Sequence, residues 1–222
     1  MDEVILRCEN IGLKRKDFEL KGVSLEIRAG YITVITGSNG AGKSTLLSIL
    51  SGNEAGYTGK LWLSGCDLRE AVRRASKRSI IEKIGHISEE PVFFMECDSI
   101  ENEMFLSPHF MNWDRELYRN KLKEFDISTA TPIKHLSRGN FIKFQLAWAM
   151  AHNADIYLFD EPTAGLDPVY RKKFYRQLQE LVEGGAAVVV ATNLYEDVEQ
   201  IADYHIIIEA GKIISEGKVE ER

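Results

Sequence analysis

Nine consecutive residues, Gly37, Ser38, Asn39, Gly40, Ala41, Gly42, Lys43, Ser44 and Thr45, limit what this chain can fold into more than any other stretch. Before them runs Tyr31-Ile-Thr-Val-Ile-Thr36, apolar and β-branched, which reads as a buried strand. After them Leu46-Leu47-Ser48-Ile49-Leu50 reads as the start of a helix that Gly52 ends. A strand, then GxxxxGKS, then a helix is a phosphate-binding loop rather than a chance glycine-rich turn. The glycines let successive backbone N–H groups point into one concavity, and the helix N-terminus adds partial positive charge there. In this pattern Lys43 reaches the β- and γ-phosphates and the Ser44 hydroxyl can ligate Mg²⁺.

The 222 residues suffice for one large domain, or one domain with an inserted subdomain. A net charge of −6 leaves no excess of Lys and Arg to neutralise phosphates, which argues against general nucleic-acid binding. The longest apolar runs, near Ala186–Ala191 and Ile206–Ile208, are too short to cross a bilayer, and Met1-Asp2-Glu3-Val4 lacks a signal-peptide pattern. Cys8, Cys66 and Cys97 are odd in number and widely spaced. They read as small apolar residues in a reducing compartment, and no metal site is expected on them.

Val4–Cys8 and Phe18–Ile27 read as strands joined by a basic turn at Lys14-Arg15-Lys16-Asp17, and Lys60–Leu63 as an edge strand. Leu68–Lys77 is a basic amphipathic helix, and Ile84–Ile87 a strand stopped at Ser88-Glu89-Glu90-Pro91. From Ser99 to His152 the pattern turns helical. Ser99 reads as an N-cap, Asp114 as the cap of a helix to Phe125, and Gly139–His152 as a further helix. Strand and helix then alternate: Asp155–Asp160, a helix from Asp167-Pro168 to about Val182, Ala186–Ala191, a helix over Glu196–Ala202, Tyr204–Glu209, and a hairpin at Ala210-Gly211 into Ile213–Ser215. That alternation predicts an α/β fold with a mostly parallel sheet covered by helices on both faces.

Asp160 and Glu161 end an apolar strand, where two acids are costly unless a cation or polar ligand meets them. Beside a phosphate loop the first supports the Mg²⁺ shell, and the second is placed to orient or deprotonate water. Leu136-Ser137-Arg138-Gly139-Asn140 reads as a helix N-cap that can also hold phosphate oxygens.

The phosphate loop, the LSxG stretch, the acidic strand end and Ala164-Gly165-Leu166-Asp167 stand in the order seen in ATP-binding cassette (ABC) ATPases, and the chain resembles that family over nearly its whole length. From Asn112-Trp113-Asp114 to Gly139 it is more narrowly similar to stand-alone ATPase subunits of bacterial drug-export transporters. The resemblance implies a P-loop NTPase fold in one cassette. Residues 1–90 and 153–222 would form a nucleotide-binding core with an antiparallel β part, and about 91–152 an inserted α-helical subdomain. It implies ATP and Mg²⁺ as cofactors. It also implies a second ATPase subunit, identical or not, closing head to tail, and a membrane permease as a separate chain at the cytoplasmic face of the cell membrane. Ser137 and Gly139 would meet the γ-phosphate held by the partner, and Asp167 would lie at the closing interface.

Three positions depart from the family. The expected Gln is Glu89, which could bind Mg²⁺ as a hard oxygen ligand. The expected His is Asn193, which donates a hydrogen bond but carries neither proton nor positive charge. Asn140 stands for a Gln. The five histidines lie at 86, 109, 135, 152 and 205, with no obvious substitute among them. For the adenine ring Phe18 is the aromatic near the first strand pair, either stacking or core, and Arg15 could stack instead. Of Phe93 and Phe94, one is expected inside and one exposed toward the permease. The expected activity is transport-coupled ATP hydrolysis, slowed at this site. The alternative is a regulatory or non-transport ABC ATPase with little turnover.

Overall fold

Val4–Lys14 (β1) pairs antiparallel with Glu19–Arg28 (β2) and, on its other side, with Thr58–Leu63 (β4). Cys66–Asp67 (β5) adds to β4, giving the order β2-β1-β4-β5. A second sheet has the order β10-β9-β3-β8-β7-β6. It is built from Ile32–Thr36 (β3), Ile84–Ile87 (β6), Ile156–Asp160 (β7), Ala187–Thr192 (β8), Tyr204–Glu209 (β9) and Lys212–Lys218 (β10). Every pairing in it is parallel except β9–β10. Among the described residues the α-helices are Lys43–Leu50 (α1), Leu68–Arg73 (α2), Ser99–Leu106 (α3), Arg115–Glu124 (α4), Arg138–His152 (α5) and Pro168–Glu183 (α6). The structure, a computed structural model, describes residues 3–16, 18–73, 82–87, 93–163, 166–195 and 199–219.

The period-2 alternation of strands sends successive side chains to opposite faces, and here the two faces meet two cores. Ile35, Leu158, Val189 and Ala191 face the space toward the antiparallel sheet, shared with Leu46, Leu47, Ile49 and Leu50 of α1. Ile32, Val34, Tyr157, Phe159, Val188 and Val190 face the helices α4, α5 and α6. With both faces covered, β3 and β8 are buried at every residue, which is why their sequences read as continuous apolar runs. In α5 the burial runs all round the helix from Phe144 to His152, as befits a helix enclosed by others.

Several boundaries differ from the sequence reading. β1 continues past Cys8 to Lys14. Leu6 and Cys8 are buried, then Ile11 and Leu13; a bulge at Asn10, with φ 52, shifts the parity and hides the second half of the strand from a period-2 reading. β4 is internal rather than an edge, because the two-residue β5 leaves no pattern to detect. The cap of α3 is Asp98, not Ser99. The Asp98 carboxylate accepts from the Ile100 and Glu101 N–H groups, and the Glu101 side chain accepts from the Asp98 N–H. Ser99 is buried in the first turn. Asp114, Ser137 and Asp167 cap α4, α5 and α6. The helix expected over Glu196–Ala202 is absent where it can be followed: residues 199–201 are turn, and 196–198 lie outside the described residues. The reading of Leu68–Lys77 holds to Arg73, and 74–77 also lie outside.

Candidate functional site

Gly42 closes the phosphate loop with φ 115 and caps α1 with no side-chain hydrogen bond. A Cβ there would lie 2.6 Å from Phe18 Cζ and 2.9 Å from Leu20 Cδ2, so only glycine fits between the loop and β2. The first turn of α1 carries no acid, so its free N–H groups and its dipole remain available to an anion. The loop is braced from behind. Ala41 N donates to Ser38 O at 3.0 Å, and Ala41 O accepts from Gly211 N, in the β9–β10 turn, at 3.0 Å.

Lys43 is 6 % exposed, yet its ammonium is well partnered. Nζ donates to Gly37 O at 2.8 Å and Ser38 O at 3.3 Å, and pairs with Glu161 Oε1 at 3.6 Å. Glu161 follows the last residue of β7 and has φ 45, a left-handed backbone unusual for a residue with a Cβ. Its N–H donates to Ala191 O at 2.9 Å, which ties the strained residue to β8.

These groups line one cavity of about 510 Å³. The phosphate loop supplies Asn39, Gly40, Gly42, Lys43, Ser44 and Thr45, the end of β7 supplies Asp160 and the residue after it, Glu161, and the β1–β2 turn supplies Arg15 and Phe18. The volume suits a nucleotide-sized ligand. Phe18 packs against the core, as one of the two readings expected, and also forms part of the cavity wall. Arg15 N donates to Phe18 O at 2.8 Å, so one tight turn presents both flat groups. Arg15 is also held by Glu54 at 2.7 Å. The Gly56 N–H, and then Arg15, keep the Glu54 carboxyl below its ordinary range.

The hydroxyl of Ser44 and the carboxylates of Asp160 and Glu161 are hard oxygen donors of the kind Mg²⁺ takes. Among the described residues no group of three His, Cys, Asp or Glu could hold a metal unaided. The donor set therefore fits a magnesium ion that also uses phosphate oxygens of its nucleotide.

Asn193 stands at the end of β8, and its Nδ2 donates to Asn39 Oδ1 at 3.4 Å, which brings it to the tip of the phosphate loop. Ser137, Gly139 and Asp167 do not line the cavity. Ser137 Oγ accepts from Asn140 N at 3.2 Å and Asp167 Oδ1 from Tyr170 N at 2.9 Å, both exposed at helix starts. Glu89 and the pair Ala164-Gly165 lie outside the described residues. Two contacts escaped the sequence reading: Glu54 on Arg15, and His205, whose Nε2 shares a hydrogen bond with Thr36 Oγ1 at 2.7 Å beside the phosphate loop. Neither carries a sequence signal, because both pairings join residues far apart in the chain.

Comparison with known proteins agrees with this geometry. The family model described as ABC transporter matches residues 20–164. An uncharacterised ABC transporter ATP-binding protein of Bacillus subtilis, YdbJ, is 32 % identical over 224 residues, covering 97 % of this chain and 70 % of that protein. A ribose import ATP-binding protein of Rhodopirellula baltica is 32 % identical, covering 96 % of this chain and 43 % of that one. A daunorubicin resistance ATP-binding protein of Streptomyces coeruleorubidus is 30 % identical, covering 91 % and 64 %. A bacterial ABC transporter cassette solved as a dimer superposes with a TM-score of 0.85 at 24 % identity, covering 98 % of this chain and all of that one, and so shares the fold. On the family match and the relatives together, this chain belongs to the ABC transporter family, as an ATP-binding ATPase subunit.

Proposed function

We propose that this subunit holds MgATP in the Lys43 cavity, closes head to tail on a second ATPase subunit, and drives a separate membrane permease in export while hydrolysing ATP slowly at its own site. The observation that carries the reading is the convergence of Lys43, Ser44, Asp160 and Glu161 on one cavity, with Lys43 Nζ 3.6 Å from Glu161. In this reading Lys43 donates to the β- and γ-phosphates, and Asp160 and Ser44 hold the magnesium, with Glu89 as a further oxygen donor. Magnesium supplies the charge that neutralises the phosphates. Glu161 orients the attacking water and takes its proton. Asn193 offers the terminal phosphate a hydrogen bond but no charge.

Ser137, Gly139 and Asp167 do not line the cavity of their own chain; Ser137 and Asp167 are exposed at helix N-termini and Gly139 is half-buried beside Ser137, an arrangement that supports a signature offered to a partner's nucleotide. Phe94 is 51 % exposed and Phe93 packs among Phe141, Phe144 and Trp148, so Phe94 is the candidate permease contact. No helix among the described residues is long and apolar enough to cross a membrane, which supports a peripheral place at the cytoplasmic face beside a separate pore. Relatives named for resistance and for import match about equally, so export rests on the resemblance of the Asn112–Gly139 region to drug-export subunits. The second reading, a regulatory subunit that closes on ATP with little turnover, is favoured by Asn193 alone.

Steady-state ATP hydrolysis tests the proposal. Asn193→His is expected to raise turnover by about 10²-fold or more, the usual worth of one positioned catalytic group. A wild-type rate equal to or above that of the substituted protein removes the slow-site reading.

A further inference from the structure

The last residue of β3 is Thr36, and the phosphate loop begins at the next residue. Parallel β9 lies beside β3 with His205 opposite Val34, so the His205 ring stands one strand over from the loop's root. Its Nε2 meets Thr36 Oγ1 at 2.7 Å, and Thr36 is 8 % exposed. Tyr195 lies on the His205 ring with centroids 4.0 Å apart and planes 11° apart. Two residues before Tyr195, the Asn193 amide reaches Asn39 at the tip of the phosphate loop. Between them Leu194 N donates to Thr192 Oγ1 at 3.1 Å, and Thr192 pairs with Thr36 across β8 and β3.

The segment 193–195 is therefore held at both ends by the phosphate loop: at its tip directly, and at its root through His205. We propose that His205 and Tyr195 are positioning residues, which clamp Asn193 at the height where a nucleotide's terminal phosphate ends. The inference rests on the reading that Asn193 meets that phosphate. A side-chain amide needs this support. It is uncharged, so its contribution depends on distance and direction, which soften quickly when a loop is free to shift. A stacked ring pair resists sideways displacement, and the hydrogen bond to Thr36 fixes the lower ring.

The test is nucleotide discrimination, which needs no turnover. Affinities for MgADP and for a non-hydrolysable MgATP analogue are measured by calorimetry on the full chain. Tyr195→Ala, which removes the stack, and His205→Phe, which keeps a ring but loses the Thr36 bond, are each expected to lower the preference for the triphosphate about tenfold. That is the worth of one hydrogen bond to a charged group. MgADP affinity should change by no more than about twofold, because one hydrogen bond lost beyond the β-phosphate leaves the diphosphate contacts in place. Tyr195→Phe should keep the preference. Combined with Asn193→Ala, neither change should cost more than Asn193→Ala alone, since they act through it. Unchanged preference in Tyr195→Ala, or losses that add to that of Asn193→Ala, overturns the clamp. Asn193→Ala with an unchanged preference instead overturns the phosphate-contact reading, and the two failures are told apart. Should His205→Phe not fold, the Tyr195 variants and their cycle with Asn193→Ala decide alone.

Discussion

Lys43 and Glu161 show how one residue's place is set by others far along the chain. The lysine begins α1 and the glutamate follows β7, yet the ammonium bridges loop carbonyls and the carboxylate. Lys43→Ala should weaken MgATP binding about 10- to 100-fold, the worth of hydrogen bonds to charged groups, as titration calorimetry would read. Glu161→Gln keeps the shape and loses the base. Turnover should fall about 10²-fold or more while MgATP affinity stays within a few-fold, a split that parallel kinetics and binding would check. At this scale the nucleotide-binding residues were legible because the loop is contiguous in sequence. Arg15 and Phe18 were legible only as candidates. Their common turn and the brace from Glu54 depend on strand pairing and on a residue 39 positions away.

Among the elements, the β9–β10 turn matters beyond its own hairpin. Gly211 has φ 77, donates to Ala41 O in the phosphate loop, and accepts from Lys21 N of β2. A Cβ on it would stand 1.9 Å from Glu19 O. Gly211→Ala should therefore destabilise the fold by about 2 kcal/mol or more, from the left-handed strain together with the backbone clash, and should weaken nucleotide binding as the loop's brace shifts. Chemical denaturation and nucleotide titration would show both. The hairpin itself was readable from Ala210-Gly211, whereas its contact with the phosphate loop was not. The N-cap of α3 was misplaced by one residue, since Asp98 and Ser99 are both good caps and only the backbone conformation chooses between them. Asp98→Ala should cost about 1 kcal/mol by the same denaturation assay.

On the scale of the molecule, a parallel sheet divides two cores, and burial on the helical side sets a pH limit. His152 is 4 % exposed beneath the ring of Phe110, at 4.3 Å, and burial pushes its pKa down to about 4. His86 on β6 is likewise lowered to about 4 by burial. Unfolded histidine takes its proton near pH 6.5, so between about pH 6.5 and 4 the unfolded chain binds more protons than the folded one. Stability therefore falls as pH drops through that window and levels off below it. The loss amounts to about 3 kcal/mol at most for His152. Urea midpoints measured from pH 7 to 4.5 should decline, and His152→Gln should flatten part of the decline. The sequence by itself determined the phosphate loop, the acidic strand end, the helix starts at Asp114 and Asp167, and the alternation that makes a parallel sheet. Each of these is written in adjacent residues, where backbone conformation and hydrophobic period act locally. Only the tertiary structure decided that a bulge carries β1 on to Lys14, that β4 is internal, and that Asn193 meets Asn39 while His205 supports Tyr195. These outcomes depend on which strands lie side by side, and that order is set by how two cores fill the two faces of one sheet.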